Sequence, residues 1–326
     1  MCVVIPAHDA EATIGRAVAA LAGHDVVVVD DGSNDRTGEK AREAGARVVR
    51  LETKGGPARA RNAGVRAAES DVVVFTDADC EPLPGFVEAL IAPLEKDATL
   101  TGTKGAYVTE QRGLTARFVQ LEYEERYARM RRRAEIDFVD TYACAYRRSA
   151  LLEAGGFDER YDRPSTEDQE LSFRLHERGA RFVFVPMART RHRHAASPGA
   201  YLAKKAKIGT FKVATLRAHP SKAIDDAHTP FLLKVQLLLA PLAITGLAVA
   251  GLALEDRRWL AALALPLAFL LTTLPLAVRA LASDPVLAPL VPVFAIGRAL
   301  ALGLGVARGL VRSPLSPSPA AEGSGA

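Results

Sequence analysis

Four short apolar runs punctuate the first 80 residues: 2–6, Asp25–Asp31, Arg47–Leu51 and 72–75 (VVVF). They are rich in valine and lack polar–apolar alternation, the pattern of strands buried on both faces of a sheet. Between them the period changes. Residues 13–22 set Ile14, Val18 and Leu21 on one helical face, and 37–44 and 58–69 read as further helices. Gly32-Ser33-Asn34-Asp35 is turn chemistry. Strands alternating with helices predict βαβ crossovers, and so an α/β fold with a mostly parallel, Rossmann-like sheet.

The later pattern is less regular. Residues 85–94 read as a helix, 102–107 (GTKGAY) as a strand edge, and 140–147 and 181–186 as apolar strands, the last followed by a loop carrying His192 and His194. Residues 114–133 form a long charged helix with Glu122, Glu124 and Glu125, expected as a solvated face or as a segment near a membrane surface. Residues 201–222 interleave Lys204, Lys205, Lys207, Lys212, Arg217 and Lys222 with Tyr201, Ile208, Phe211 and Val213, which suits an interfacial amphipathic segment or an ordinary basic helix.

Beyond it, 231–254 and 259–278 are apolar over the roughly 20 residues needed to cross a bilayer, and Pro241, Pro266 and Pro275 are tolerable there. Residues 286–310 are interrupted by Arg298 and contain Pro289 and Pro292, so they read as a third span, a re-entrant segment or an interfacial helix. The loop at 255–258 has mixed charge, and 313–326 reads as a disordered tail rich in Pro, Ser, Ala and Gly.

Composition narrows the class. The 326 residues carry a net charge of +4 with acids and bases intermixed, which gives no nucleic-acid footprint. Mean hydropathy is +0.06, high for a soluble enzyme, with the apolar excess near the C-terminus. Cys2, Cys80 and Cys144 lie far apart in no metal or disulfide spacing, which fits a reduced, cytosol-facing catalytic part. No signal peptide is evident, because Met1 runs directly into the first strand.

The candidate chemistry lies at the ends of strands. Ligands of open α/β sheets bind beyond the carboxyl ends of the strands, and two of these ends are acidic: Asp30-Asp31, then Asp77 and Asp79. Two carboxylates so close repel unless a cation lies between them, and Mg²⁺ or Mn²⁺ carrying a diphosphate takes oxygen ligands of this kind. The alternative is a turn in which Asp77 caps the next element and Asp79 is solvated. Asp30 and Asp31 suit hydrogen bonds to a base or ribose, or capping of the Gly32-Ser33 turn. Lys54, Arg59 and Arg61 fall near a helix start, where they would meet phosphate or simply face water.

Four segments in order, VVIPAHDAEATI, VVVDDGSNDRT, GGPARARNAG and VVVFTDADC, resemble the nucleotide-sugar-binding half of a family 2 glycosyltransferase of the GT-A fold. The resemblance runs to about residue 209, which implies a division into 1–209 catalytic, 210–230 basic and juxtamembrane, 231–311 membrane with two or three helices, and 312–326 tail. It implies inverting transfer from a nucleotide-diphospho-sugar. Pro6, Ala7, Glu11, Asp30, Asp31, Arg61, Asp77 and Ala78 would lie around the nucleotide sugar, and Asp77 and Asp79 would hold a divalent metal, Mn²⁺ or Mg²⁺. The family's Tyr-Asn pair after the proline is His8-Asp9 here. Thr166-Glu167-Asp168 matches the family's acidic pair, with Asp168 as general base and Glu167 orienting the site. Residues 155–159 (GGFDE) match a recurrent turn with Phe157 packed inward. Of His192 and His194, which would complete the metal site or contact the diphosphate, His194 is the preferred ligand.

The Gln-Xaa-Xaa-Arg-Trp motif of processive synthases is not visible, and the lone Trp259 lies in the apolar region, so single-sugar transfer is favoured. Basic residues before 231 place the catalytic part on the cytoplasmic side of a multi-pass inner-membrane protein, with a lipid-linked or membrane-proximal acceptor. The competing readings are a catalytically silent nucleotide-sugar-binding scaffold and a haloacid-dehalogenase-type phosphatase. The latter wants Thr or Ser close after the acids, where Cys80-Glu81-Pro82 stands.

Overall fold

The computed structural model describes residues 1–223, 226, 229–251, 257–312 and 315. The loop expected at 255–258 and the tail at 313–326 lie outside these, residues 257, 258 and 315 apart. The chain opens as the hydrophobic pattern dictates. Strands β1 (Cys2–Ala7), β2 (Asp25–Asp31), β3 (Arg47–Leu51) and β4 (Val72–Thr76) alternate with helices α1 (Ile14–Ala19), α2 (Thr37–Glu43) and α3 (Pro57–Ala67). These strands lie parallel in the order β3-β2-β1-β4.

Successive strand residues point to opposite faces, so both faces of the sheet are packed. Val4, Val27, Val29, Val73 and Phe75 meet α3 on one side, whereas Val3, Ile5, Val26, Val28 and Val74 meet α1, α2 and α4 (Phe86–Lys96) on the other.

The second half of the sheet departs from simple alternation. Beyond β4 come β7 (Ala143–Arg147), β6 (Gly102–Val108), β8 (Phe182–His192) and β5 (Cys80–Pro82), with β7 antiparallel to both its neighbours. Two expectations change here. Residues 102–107, expected as an edge, lie inside the sheet between β7 and β8. Cys80-Glu81-Pro82 forms a short edge strand, as the position of its proline permits. The strand expected at 181–186 continues to His192, which is therefore in the sheet and not on a loop. Helices α6 (Arg148–Glu153) and α7 (Glu167–Glu177) complete the catalytic layer.

Helix α5 (Leu114–Met130) is not a solvated face: Phe118, Leu121, Glu122, Tyr127 and Met130 are buried. Its charges meet the C-terminal helices. Glu122 accepts from Arg298 at 2.6 Å and faces Lys205 at 3.0 Å, and Arg117 pairs with Asp284. Burial raises the Glu122 pKa, but Lys205 and Arg298 outweigh it and hold the carboxyl at about 2. Helix α8 (Pro198–Ala218) runs through residue 209 without a break. Its lysines serve the catalytic layer: Lys212 donates to Gln169 at 2.7 Å, and just beyond the helix Lys222 donates to Asp137 at 2.6 Å. Three apolar stretches follow, Phe231–Gly251, Leu260–Ser283 and Pro285–Val311, each long and apolar enough to cross a membrane. Their α-helical cores are α9 (Phe231–Gly251), α10 (Ala264–Ser283) and α11 (Val291–Val311).

Candidate active site

Strand β4 ends at Thr76 and delivers Asp77, Ala78 and Asp79 to the carboxyl edge of the sheet. The Cys80 amide donates to the Asp77 carbonyl at 3.0 Å, closing a turn that leads straight into β5. The β5–β8 register sets Cys80 opposite His192. That pairing brings His192 Nδ1 to 3.6 Å from Asp79 Oδ2, and this buried nitrogen has no hydrogen-bond partner among the described residues. Asp79, Cys80 and His192 each offer a ligand atom, all within 4.8 Å of one another. Burial, then the charges of Asp77 and Asp79, push the Cys80 thiol well above its ordinary value, so it stays protonated and is a poor ligand for a hard cation. The useful pair is the half-exposed Asp79 carboxylate and His192.

His194, expected at this position, is elsewhere. Its Nε2 lies 2.9 Å from Gln120 Oε1, its amide donates to Gln111 at 2.6 Å, and its ring stacks on Tyr123. Gln120 Nε2 already donates to the Tyr107 carbonyl and to Glu124, so Nε2 of His194 is the donor to Gln120. Burial, reinforced by His192 and Lys204, lowers the His194 pKa to about 3. It is a neutral packing residue.

Arg61 links the two acidic motifs. It projects from α3, donates to Glu167 at 2.9 Å and to Asp77 at 3.1 Å, and lies 5.7 Å from the Phe157 ring centre. Burial raises the Asp77 pKa, with Asp79 adding to the shift and Arg61 opposing it. For Asp79 burial acts in the same direction, but His192 and Lys204 outweigh it and the pKa falls. Glu167 also accepts from the Ser165 amide at 2.8 Å.

Asp168, in the first turn of α7, accepts from the Gln169 amide at 2.8 Å. Burial and the charges of Glu167 and Asp140 raise its pKa well above the usual aspartate range, against the pull of Arg61. A carboxylate so placed is a stronger base than an ordinary aspartate.

The other expected residues divide by task. Asp30 is fully buried, accepting from the Ser33 amide at 2.9 Å and from Arg50 at 2.6 Å, so its carboxylate braces the turn. Asp31 accepts from the amides of Gly55 and Gly56 at 2.8 and 2.7 Å, pinning the loop that launches α3. Glu11 is exposed and accepts from the Arg36 amide at 3.1 Å, which joins its loop to the start of α2. Pro6 and Ala7 end β1 beside β2, and Ala78 packs into the core beneath the Asp77–Asp79 turn. Phe157 points inward, edge-on to Phe75.

One cluster escaped the sequence reading. Lys104, on β6, is wholly buried and pairs with Asp140, with Tyr142 Oη at 3.1 Å. Tyr107 stacks between Tyr142 and His192, which builds an aromatic floor from Asp140 to the Asp79 corner. The available signal was a lone lysine in an otherwise apolar strand run, because a buried charge needs a partner.

Residues 2–155 match the family model described as glycosyl transferase family 2. The pre-mycofactocin glycosyltransferase of Mycobacterium tuberculosis is 32% identical over 231 residues, covering 68% of this chain. The chain spans about half, 48%, of that relative's length. An uncharacterized glycosyltransferase of Mycobacterium bovis is 34% identical over 164 residues, covering 50% of this chain and 74% of the relative. Among solved structures, a mannosyltransferase from Pyrobaculum calidifontis, in complex with GDP-Man and Mn²⁺, superposes with a TM-score of 0.57 at 18% identity, covering 95% of this chain and 86% of that one. The parallel half-sheet ending in Asp77 and Asp79, the motif order and these matches converge: the chain belongs to glycosyltransferase family 2 and has the GT-A fold.

Proposed function

We propose that this protein transfers one sugar from a nucleotide-diphospho-sugar to an acceptor hydroxyl, with inversion at the anomeric carbon. The observation that carries the reading is that Arg61 joins Asp77 to Glu167, with Asp168 next to Glu167 and within reach of the Arg61 charge, and with Asp79 and His192 at the adjoining corner. Asp168 takes the proton as the acceptor oxygen forms its bond to the anomeric carbon, and the bond to the diphosphate breaks with its electron pair leaving on the nucleoside diphosphate. General-base help of this kind is worth about 10²–10⁴-fold. Arg61 holds Glu167 and Asp77 in place, and Lys104 fixes Asp140 beside the base.

The donor set fits a divalent cation: a carboxylate and an unpartnered imidazole nitrogen. Asp79 and His192 would hold it, and its charge would offset the negative charge gathering on the departing diphosphate. The Pyrobaculum calidifontis mannosyltransferase, solved with GDP-Man and Mn²⁺, supports this donor and metal class. The apolar helices α9 and α10 and the basic residues before them favour an inner-membrane enzyme with its catalytic part in the cytoplasm, acting on a lipid-linked or membrane-proximal acceptor.

The test is a donor screen on the detergent-solubilised full chain with Mn²⁺ or Mg²⁺, reading thermal shift and nucleoside-diphosphate release. One donor that stabilises the protein only with metal and is slowly turned over is the expected result. A folded protein that responds to no donor would overturn the reading in favour of a silent scaffold.

A further inference from the structure

Helix α11 is apolar and long enough to span a bilayer, yet its path does not lead away from the catalytic domain. At its start Val291 packs with Leu121, and Phe294 stacks on Phe118 of α5 at 4.4 Å. At its end Arg217 of α8 donates to the Leu310 carbonyl at 3.3 Å. Between these points it runs parallel to α8 at close range. Gly297 faces Leu202, Gly305 lies on the Ala206 carbonyl, and Gly309 lies on the Thr210 carbonyl. A Cβ at Gly305 or Gly309 would come within 2.0 or 2.3 Å of those carbonyl oxygens, so the contact needs glycine. The sequence 305–309 (GVARG) is the small-xxx-small spacing that lets helix backbones touch.

Helix α8 itself lies flat on the catalytic layer. Tyr201 near its start meets Phe118, and Thr215 near its end bonds Tyr161 at 3.0 Å and Thr166 at 2.8 Å. Twenty-one residues of α11 rise about 30 Å, and both ends stay within one helix layer of that surface.

From this geometry we infer that α11 does not cross the membrane but lies in the cytosolic leaflet as a second layer beneath α8, so that only α9 and α10 span and the C-terminal end returns to the side of the catalytic domain. Two further observations agree. Arg298, near the middle of this apolar stretch, pairs with Glu122 of the catalytic layer at 2.6 Å and with Gln236 at 2.6 Å, an arrangement the bilayer centre does not supply. The outer face presents Val293, Leu304, Leu310 and Val311, and exposed Arg308 and Arg312 flank its end. Apolar side chains rimmed by basic ones suit an anionic lipid surface, and basic residues beside a membrane segment favour the cytoplasmic side.

The inference rests on α9 and α10 crossing, and the experiment separates the two claims. Cys2, Cys80 and Cys144 are buried, so single added cysteines in the full chain report on a quiet background. Glu69→Cys marks the catalytic domain, Gly251→Cys the far end of α9, and Arg312→Cys the end of α11. A membrane-impermeant maleimide is applied to spheroplasts and to inverted membrane vesicles. The expected result is Gly251→Cys labelled in spheroplasts, with Glu69→Cys and Arg312→Cys labelled only in inverted vesicles. Labelling of Arg312→Cys in spheroplasts, or only after detergent, overturns the placement of α11. Labelling of Gly251→Cys together with Glu69→Cys, only in inverted vesicles, shows instead that the α9–α10 hairpin does not cross, and the two-span topology falls with it.

Discussion

Replacing Arg61 with methionine keeps the length of the side chain and removes its charge, which leaves Glu167 and Asp77 without their shared partner. The side chains of Arg61 and Glu167 are each 5% exposed, and that of Asp77 is 31% exposed. Once the guanidinium is gone, Glu167 keeps the Ser165 amide as a donor at 2.8 Å. Removing one partner of a buried ion pair costs about 3–5 kcal/mol, because the other charge stays buried and uncompensated. Asp77 turns part of its carboxylate to water, so the lower part of that range applies, about 3–4 kcal/mol. At roughly 2–4 °C per kcal/mol for a domain of 150–250 residues, the melting temperature should fall by about 6–16 °C.

The assay is thermal unfolding of the detergent-solubilised full chain, with Glu167→Gln and the double variant measured alongside. Neutralising Glu167 removes the stranded charge. The double variant should therefore lose less than the sum of the singles, with a coupling of about 0.5–3 kcal/mol. A single variant melting within about 2 °C of the parent, or a strictly additive double, would refute the bridging role.

Gly305→Val should lower the melting temperature, because its Cβ meets the Ala206 carbonyl, whereas Gly303→Ala, which opens onto space, should leave it unchanged or slightly higher. Titration with Mn²⁺ should show His192→Ala and Asp79→Ala weakening metal binding at least tenfold. His194→Ala should leave Mn²⁺ affinity near the parent's, since His194 bonds Gln120 and not the Asp79 corner. The pH profile tests Asp168, which must be ionised to accept a proton. Its raised pKa puts the acidic loss of transfer at a higher pH than an ordinary aspartate near 4 would give, and Arg61→Met should move that limb higher still. For stability the sign reverses. A folded pKa above the unfolded one contributes stability that is full below the unfolded value and is lost as pH rises through the folded value. Asp168→Asn should accordingly melt no lower than the parent at neutral pH.

The parallel half of the sheet was legible because its strands are unbroken valine runs separated by helical periodicity. The acidic ends of β2 and β4 were legible for the same reason, since parallel strands present their carboxyl ends on one edge. Partners distant in sequence were not. Arg61 read as a phosphate contact or a solvated residue, and nothing local points to Glu167, 106 positions away. The choice of His194 failed on register: β5 is three residues of turn-like composition, and only its pairing with β8 shows that His192 faces Asp79. Helix α5 read as a solvated face or a segment near a membrane surface because its partners, Lys205 and Arg298, come from later helices. Asp30 and Asp31 read either as nucleotide contacts or as caps of the Gly32-Ser33 turn; Asp30 does accept from the Ser33 amide, whereas Arg50 and the Gly55-Gly56 amides, distant in sequence, were not legible as partners.

The most direct measurement is the transfer rate of Asp168→Asn, taken with the donor from the screen and with donor and Mn²⁺ affinities determined on the same preparation. Asparagine keeps the shape and cannot take the acceptor proton. The expected result is a rate lowered by about 10²–10⁴-fold with both affinities close to the parent's. An unchanged rate, with binding intact, would contradict Asp168 as the base and with it the inverting transfer built around Arg61.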